Sequence, residues 1–244
     1  MVRRRRLLVD VDDVLADFQT PVFEIIERVL GKKLTPYDYQ IWDMFTLFPE
    51  DEVKLIHAEI EKPGFCLNLK PKPGAIEAIR KLRTFVDVYP VTSPFHSEPW
   101  VNERTKWLLQ HFEFRKKEVT HTGSKFLVEG DAILEDNPEH ITTWADEHPG
   151  GLPMLWHVPN TRTMVHLDKY RVHAWDDVIK RVKTHAKKAN VYELLHEREW
   201  THDEDGSNYC QECGASAPNS GIPQQHNPNC RMDEILTRYL GKDR

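Results

Sequence analysis

No stretch of this chain reaches the ~18 apolar residues that a membrane-spanning helix needs. No basic excess is present either. The formal net charge is −6, whereas a general nucleic-acid binder carries a positive balance. Nucleic acid and membrane are therefore not expected partners. The start, MVRRRRLLVDVDD, lacks the apolar region of roughly 7–15 residues and the small-residue cleavage site of a secretory signal. Its Arg3–Arg6 run reads as a solvated lead-in to a strand, and a cytoplasmic location is the expectation. Cysteine is scarce. Of Cys66, Cys210, Cys213 and Cys230, three crowd the C-terminal end. That distribution fits a metal site better than a disulfide framework. There is no internal repeat.

What is present is enough apolar sequence for a real core: 39% of 244 residues are hydrophobic. The length suits one large domain, or one domain with an appendage. Consecutive apolar residues over 5–11 predict a buried strand. Helical spacing follows over 18–30, through Val22, Ile25, Ile26 and Val29, and again over 50–60. Between them lies a stretch rich in aromatics and breakers, 31–49. Residues 62–74, KPGFCLNLKPKPG, read as a loop. Further on, the pattern predicts a helix at 75–82, a strand at 86–91, a helix at 99–112 and a strand at 132–135. Asn137 is placed to cap the next helix, with Pro138 at its first position. A strand at 154–158 and a helix through Trp175, Val178, Ile179 and Val182 complete the series. Alternating strands and helices imply a parallel sheet covered on both faces. In such sheets ligands sit beyond the C-terminal strand ends.

The stretch LLVDVDDVLADF, residues 7–18, places Asp10, Asp12, Asp13 and Asp17 at such an end. Asp10 and Asp12 are two apart on a strand, so both carboxylates can face one substrate. PVTSP delivers Thr92 and Ser93 after a second strand. GDAILEDNPEH delivers Glu135 and Asp136 after a third, and Lys125 lies between. Carboxylates, hydroxyls and one cation are the set that phosphoryl transfer needs. Hard oxygen ligands favour Mg²⁺ over zinc.

These stretches, in order, resemble a known family. DVDDVLADF is similar to the first motif of the haloacid dehalogenase (HAD) superfamily, DxDGxLxD. With EKPGFCLNLKPKPGAIEAI at 61–79, VTSPF at 91–95, VNERTKW at 101–107, Lys125, GDAILEDNPEHI at 130–141 and WDD at 175–177, the likeness narrows to the 5′(3′)-deoxyribonucleotidases, over roughly residues 5–185. The resemblance implies an α/β fold: a HAD-like Rossmannoid three-layer core with a parallel sheet and a small helical cap inserted after the first motif. By the same resemblance Asp10 is the nucleophile and Asp12 the acid/base. Mg²⁺ is held by Asp10, the Asp12 carbonyl and Asp136. Thr92 and Ser93 bind phosphoryl oxygens, Lys125 neutralises charge, and Asp131 and Glu135 lend support. The family has glycine where this chain has Asp13, at a turn that favours unusual backbone angles. Asp17 is read either as a cap of the next helix or as a metal neighbour.

Substrate choice would fall to the cap. Phe18, Trp42 and Phe45 could stack on a nucleobase or simply fill the cap's core. The expected domains are a core of 1–17 and 75–187, a cap of 18–74, and a tail of 188–244 where the composition turns polar. In that tail Cys210-x2-Cys213-x12-His226-x3-Cys230 has the ligand types and spacing of a structural Zn²⁺ site. His202 is a competing ligand. The apolar face from Met232 to Leu240 suits its own core or a homodimer. Cys66 reads as a packed residue.

The expected activity is Mg²⁺-dependent hydrolysis of nucleoside 5′-monophosphates, deoxy forms preferred, through an aspartyl-phosphate. Two alternatives stay open: a HAD phosphatase for a sugar phosphate or nucleic-acid end, and a catalytically weak HAD scaffold bearing a zinc-binding module.

Overall fold

The structure, a computed structural model, describes residues 4–95, 97–202, 208–210, 216–217 and 230. One compact unit spans Arg4–Val182 and a second begins at Lys183.

In the first unit, strand β1 (Arg6–Val9) lies inside a six-stranded sheet. Its neighbours are β2 (Asp87–Thr92) and β4 (Ala132–Glu135), both parallel to it. β3 (Thr120–His121) extends the sheet beyond β2. β5 (Leu152–Trp156) and β6 (Arg171–Val172) extend it beyond β4. The order is β3-β2-β1-β4-β5-β6, all parallel. Leu7, Leu8 and Val9 are all buried. That is why β1 reads as an unbroken apolar run: both faces of a central parallel strand are covered. Leu8 packs with Ile133, Ile141, Trp144 and Leu155 in one core cluster.

The helices follow the expected spacing. α1 (Gln19–Leu30) ends at Gly31, whose φ of 66° lets its N–H reach Glu27 O in the left-handed cap that glycine favours. α2 is Glu50–Ile60, α3 is Ala75–Leu82 and α4 is Glu98–Phe112. α5 (Pro138–Glu147) opens as expected: the Asn137 side chain accepts from Glu139 N, with Pro138 at the first turn. α6 (Trp175–Glu199) runs through the change in composition near 187–190. Residues 18–74 contribute no strand. Their apolar residues, among them Val22, Ile26, Tyr39, Met44 and Ile56, form a second cluster with Trp100 of α4.

The two-residue strands β3 and β6 were not anticipated, since two residues carry no readable period. β1 is shorter than the expected 5–11. Leu15 N and Ala16 N both bond back to Val11 O, so the chain turns there instead of extending.

From Lys183 on, β7 (Trp200–His202), β8 (Asn208–Cys210) and β9 (Ser216–Ala217) form an antiparallel sheet in the order β7-β8-β9. The side chains of the expected zinc ligands Cys210, Cys213 and His226 lie outside the described residues. Cys230 is buried. Among the described residues no helix is long and apolar enough to cross a membrane.

Candidate active site

Three parallel strands end side by side. Asp10 follows β1, with its N–H still on Leu134 O at 2.8 Å. Thr92 closes β2 and Ser93 follows it. Glu135 closes β4 and Asp136 follows. Lys125 opens a 3-10 turn, Lys125–Leu127, in the connection between β3 and β4. Asp131 is not brought here. It precedes β4, at the opposite end of the strands, and pairs with Arg5 at 3.1 Å.

Lys125 is 2% exposed. Its Nζ donates to Asp10 Oδ1 at 2.5 Å and to Glu135 Oε2 at 2.6 Å. Carboxylate oxygens of Asp10, Glu135 and Asp136 all lie within 4.8 Å of one another. Two of these carboxylates, Asp10 and Glu135, share the Lys125 ammonium, and Asp136 stands beside them with no lysine or arginine of its own among the described residues. Three carboxylates beside one ammonium are a formal excess of two negative charges. Burial pushes the Asp10 pKa well above the usual carboxylate range, and Glu135 adds to this while Lys125 opposes it. Asp136 is raised in the same way, by burial first and then by Asp10 and Glu135. For Glu135 burial also works upward, but Lys125 and His140 override it and hold the group below the usual range. Lys125 itself is raised: burial opposes its charge, and Asp10 and Glu135 more than compensate. Buried like charges at this spacing are costly unless neutralised. A divalent cation held by hard oxygens matches the excess of two.

Asp12 lies beside this group. Burial raises its pKa and the Arg104 guanidinium opposes that. Arg104 Nη2 donates to Asp12 Oδ1 at 2.5 Å. Arg104 itself is fully buried on α4, its guanidinium 5.1 Å from the Trp100 ring centre and 5.5 Å from that of Trp107. The sequence held a signal for it: a charged residue set between two tryptophans, four and three positions away, on the apolar face of a helix. The Thr92 hydroxyl is fully buried and has no hydrogen-bond partner among the described residues. A buried hydroxyl in that condition is costly, and at a strand end it can donate to a ligand oxygen. Ser93 Oγ reaches Thr122 O at 3.5 Å.

A cleft of about 250 Å³ opens on these groups. Asp10, Asp12, Ser93, Lys125 and Asp136 line it, together with Phe18, Trp42 and Phe45 from the helical segment. Phe95, Trp100, His140 and Gln19 also line it and were not foreseen. Phe18 packs edge-on to Phe65 and Trp100, and Phe45 edge-on to His57. Phe18 and Phe45 therefore belong both to the segment's core and to the wall of the cleft, and Trp42 to the wall.

Asp13 adopts φ 55°, the left-handed region. Its carboxylate accepts from Gln19 N at 3.2 Å, at the first turn of α1, and pairs with Lys72 Nζ at 3.0 Å. Asp17 accepts from Thr20 Oγ1 at 3.0 Å and meets the same Lys72 at 3.4 Å. The backbone contact at the entry to α1 is thus made by Asp13, and Asp17 stands outside the carboxylate group.

The sequence profile of the family described as 5′ nucleotidase, deoxy (pyrimidine), cytosolic type C protein matches residues 4–189. The chain belongs to this family. A cytosolic-type 5′(3′)-deoxyribonucleotidase of Homo sapiens is 30% identical over 148 residues, 56% of this chain and 72% of that one. A mitochondrial 5′(3′)-deoxyribonucleotidase of Mus musculus is 27% identical over 199 residues, 72% of this chain and 83% of that one. Among solved structures, a haloacid dehalogenase-like hydrolase from Streptococcus pneumoniae aligns with a TM-score of 0.53 at 13% identity, over 73% of this chain and 98% of that one. That last likeness concerns the fold, which is the α/β HAD-like one. As a member of this nucleotidase family the chain is a phosphomonoester hydrolase. The profile stops at residue 189, so the cysteine-bearing tail is not part of the family pattern.

Proposed function

We propose that the protein hydrolyses deoxyribonucleoside 5′-monophosphates with Mg²⁺, residues 1–17 and 75–187 forming the catalytic core and 18–74 a cap over it. The observation that carries the reading is the charge imbalance: Asp10, Glu135 and Asp136 crowd around a single lysine, Lys125, at the floor of an aromatic-walled cleft.

Asp10, Asp136 and the Asp12 carbonyl would hold the cation, which supplies charge neutralisation at the phosphoryl oxygens. The Asp10 carboxylate attacks phosphorus, forming an aspartyl-phosphate as the bond to the nucleoside oxygen breaks. Asp12 gives its proton to that oxygen. It then removes a proton from the water that cleaves the acyl-phosphate, so each residue returns to its starting state. Arg104 keeps the Asp12 carboxylate aimed between these two transfers. Thr92 and Ser93 donate to phosphoryl oxygens, and Lys125 offsets charge on Asp10. Phe18, Trp42 and Phe45 box the base.

A panel of deoxynucleoside, ribonucleoside and sugar monophosphates, assayed with Mg²⁺ and with EDTA, tests this. Phosphate release from sugar phosphates but not nucleotides would transfer the activity to the first alternative substrate class. Absence of turnover on every substrate would favour the non-catalytic alternative.

For the tail we propose a structural zinc site of Cys210, Cys213, His226 and Cys230. The ligand types and their spacing support it, and Cys210 is the last residue of β8. One equivalent of zinc in purified protein, lost in Cys210→Ser with Cys213→Ser, is the expected result.

A further inference from the structure

Trp42 reaches from the helical segment to the strand-end carboxylates. Its indole Nε1 donates to Asp136 Oδ2 at 3.1 Å. The backbone that carries it is fixed from the other side. Asn160, fully buried in a 3-10 turn (Pro159–Thr161) beyond β5, donates from Nδ2 to Ile41 O at 2.8 Å and to Trp42 O at 3.2 Å. Next to it, Arg162 donates to Tyr39 O at 3.3 Å and to Tyr37 O at 3.1 Å. The turn is itself braced, because buried Arg171 donates to Thr161 Oγ1 and to Thr161 O, both at 3.1 Å. The loop 37–42 is therefore held by side chains of the core, and the indole is delivered to Asp136 with its backbone already fixed.

A carboxylate with one oxygen tied to a fixed donor presents its other oxygen in a set direction. Groups that orient a metal ligand in this way typically change metal affinity 10–100-fold when removed. We propose that Trp42 is a positioning residue for Asp136 as a ligand of the divalent cation. The cap then supplies an outer contact of the metal centre as well as a wall for the nucleotide. This depends on the metal-site reading above. It separates two uses of one side chain: the ring face serves the base, and the N–H serves the ligand.

Trp42→Phe divides them. Phe keeps an aromatic face and lacks the N–H. Trp42 is 36% exposed, so the fold should tolerate the change, with thermal unfolding as the check. Isothermal titration of the whole protein with Mg²⁺ alone, without nucleotide, is the readout. The expected result is a Kd about 10–100-fold weaker in Trp42→Phe and no measurable binding in Asp136→Asn. A wild-type Kd in Trp42→Phe, with binding lost in Asp136→Asn, overturns the proposal and leaves the metal site standing. A wild-type Kd in Asp136→Asn removes the metal-site reading and the proposal with it.

Discussion

Asp10 and Asp13 are three residues apart, both buried, and each is paired with a lysine, yet their surroundings are opposite in kind. Around Asp10, donors run short: Lys125 is shared with Glu135, and Asp136 crowds the same space. Around Asp13, donors suffice: Gln19 N and Lys72 both reach its carboxylate, and the second acid there, Asp17, also has the Thr20 hydroxyl. Burial raises both pKa values and a lysine opposes the rise at each. Asp13, helped also by Gln19 N, reaches about 6, whereas at Asp10 the neighbouring Glu135 adds to burial and the group lies well above the usual range. Buried charge is tolerated where partners are complete, and acts on ligands where they are not. Asp13, the departure from the family's glycine, sits on the complete side.

The largest effect that can break this contrast is on turnover. Asp10→Asn should lower kcat by at least about 10⁴-fold, as loss of a nucleophile does, while circular dichroism stays unchanged. A variant retaining a tenth of wild-type kcat would remove Asp10 from the chemistry.

Next is stability without metal. Lys125→Met leaves three crowded carboxylates without a cation and should cost about 3–5 kcal/mol, read by urea unfolding in EDTA. Lys72→Met should cost less, about 1–3 kcal/mol, since the buried Asp13 carboxylate keeps the Gln19 N–H and the lysine side chain is one quarter exposed. Equal losses at the two lysines would erase the distinction.

The third effect is that of the cation. Mg²⁺ at a hundred times its Kd should add about 2.7 kcal/mol to stability. That gain should vanish in Asp136→Asn and persist in Asp13→Asn. Loss in both would place Asp13 among the ligands.

The strand ends were legible because parallel strands covered on both faces leave continuous apolar runs that stop at polar residues. The ends after Val9, Thr92 and Glu135 all fell within two residues of the expected positions. α3 and β4 matched to the residue. The partners of Arg104 and Lys72 were not legible, because each acts on a carboxylate far along the chain: the tryptophans around Arg104 mark it as buried, but Asp12 lies 92 residues away. Spacing rules describe neighbours on one element and carry no information about such a pairing. Asn160 was missed for the same reason. It lies 119 residues from Ile41 in a turn of three residues.

The smallest effect tests Asp13 most directly. Asp13→Gly restores the residue that the family motif carries. Two terms favour glycine or oppose it at φ 55°. Relief of the left-handed conformation is worth about 1–2 kcal/mol, and the greater freedom of glycine in the unfolded chain takes back about 0.5–1 kcal/mol. The variant also loses the contact to Gln19 N, about 1 kcal/mol for a helix-entry bond, and leaves Lys72 with only the longer contact to Asp17. The net expectation is a destabilisation of about 1 kcal/mol by urea unfolding, with kcat within about threefold of wild type, a change of under 1 kcal/mol in the barrier. If kcat instead rises tenfold at unchanged stability, the Asp13 charge acts on the reaction, and the division between a saturated and an unsaturated aspartate fails at its nearest point to the nucleophile.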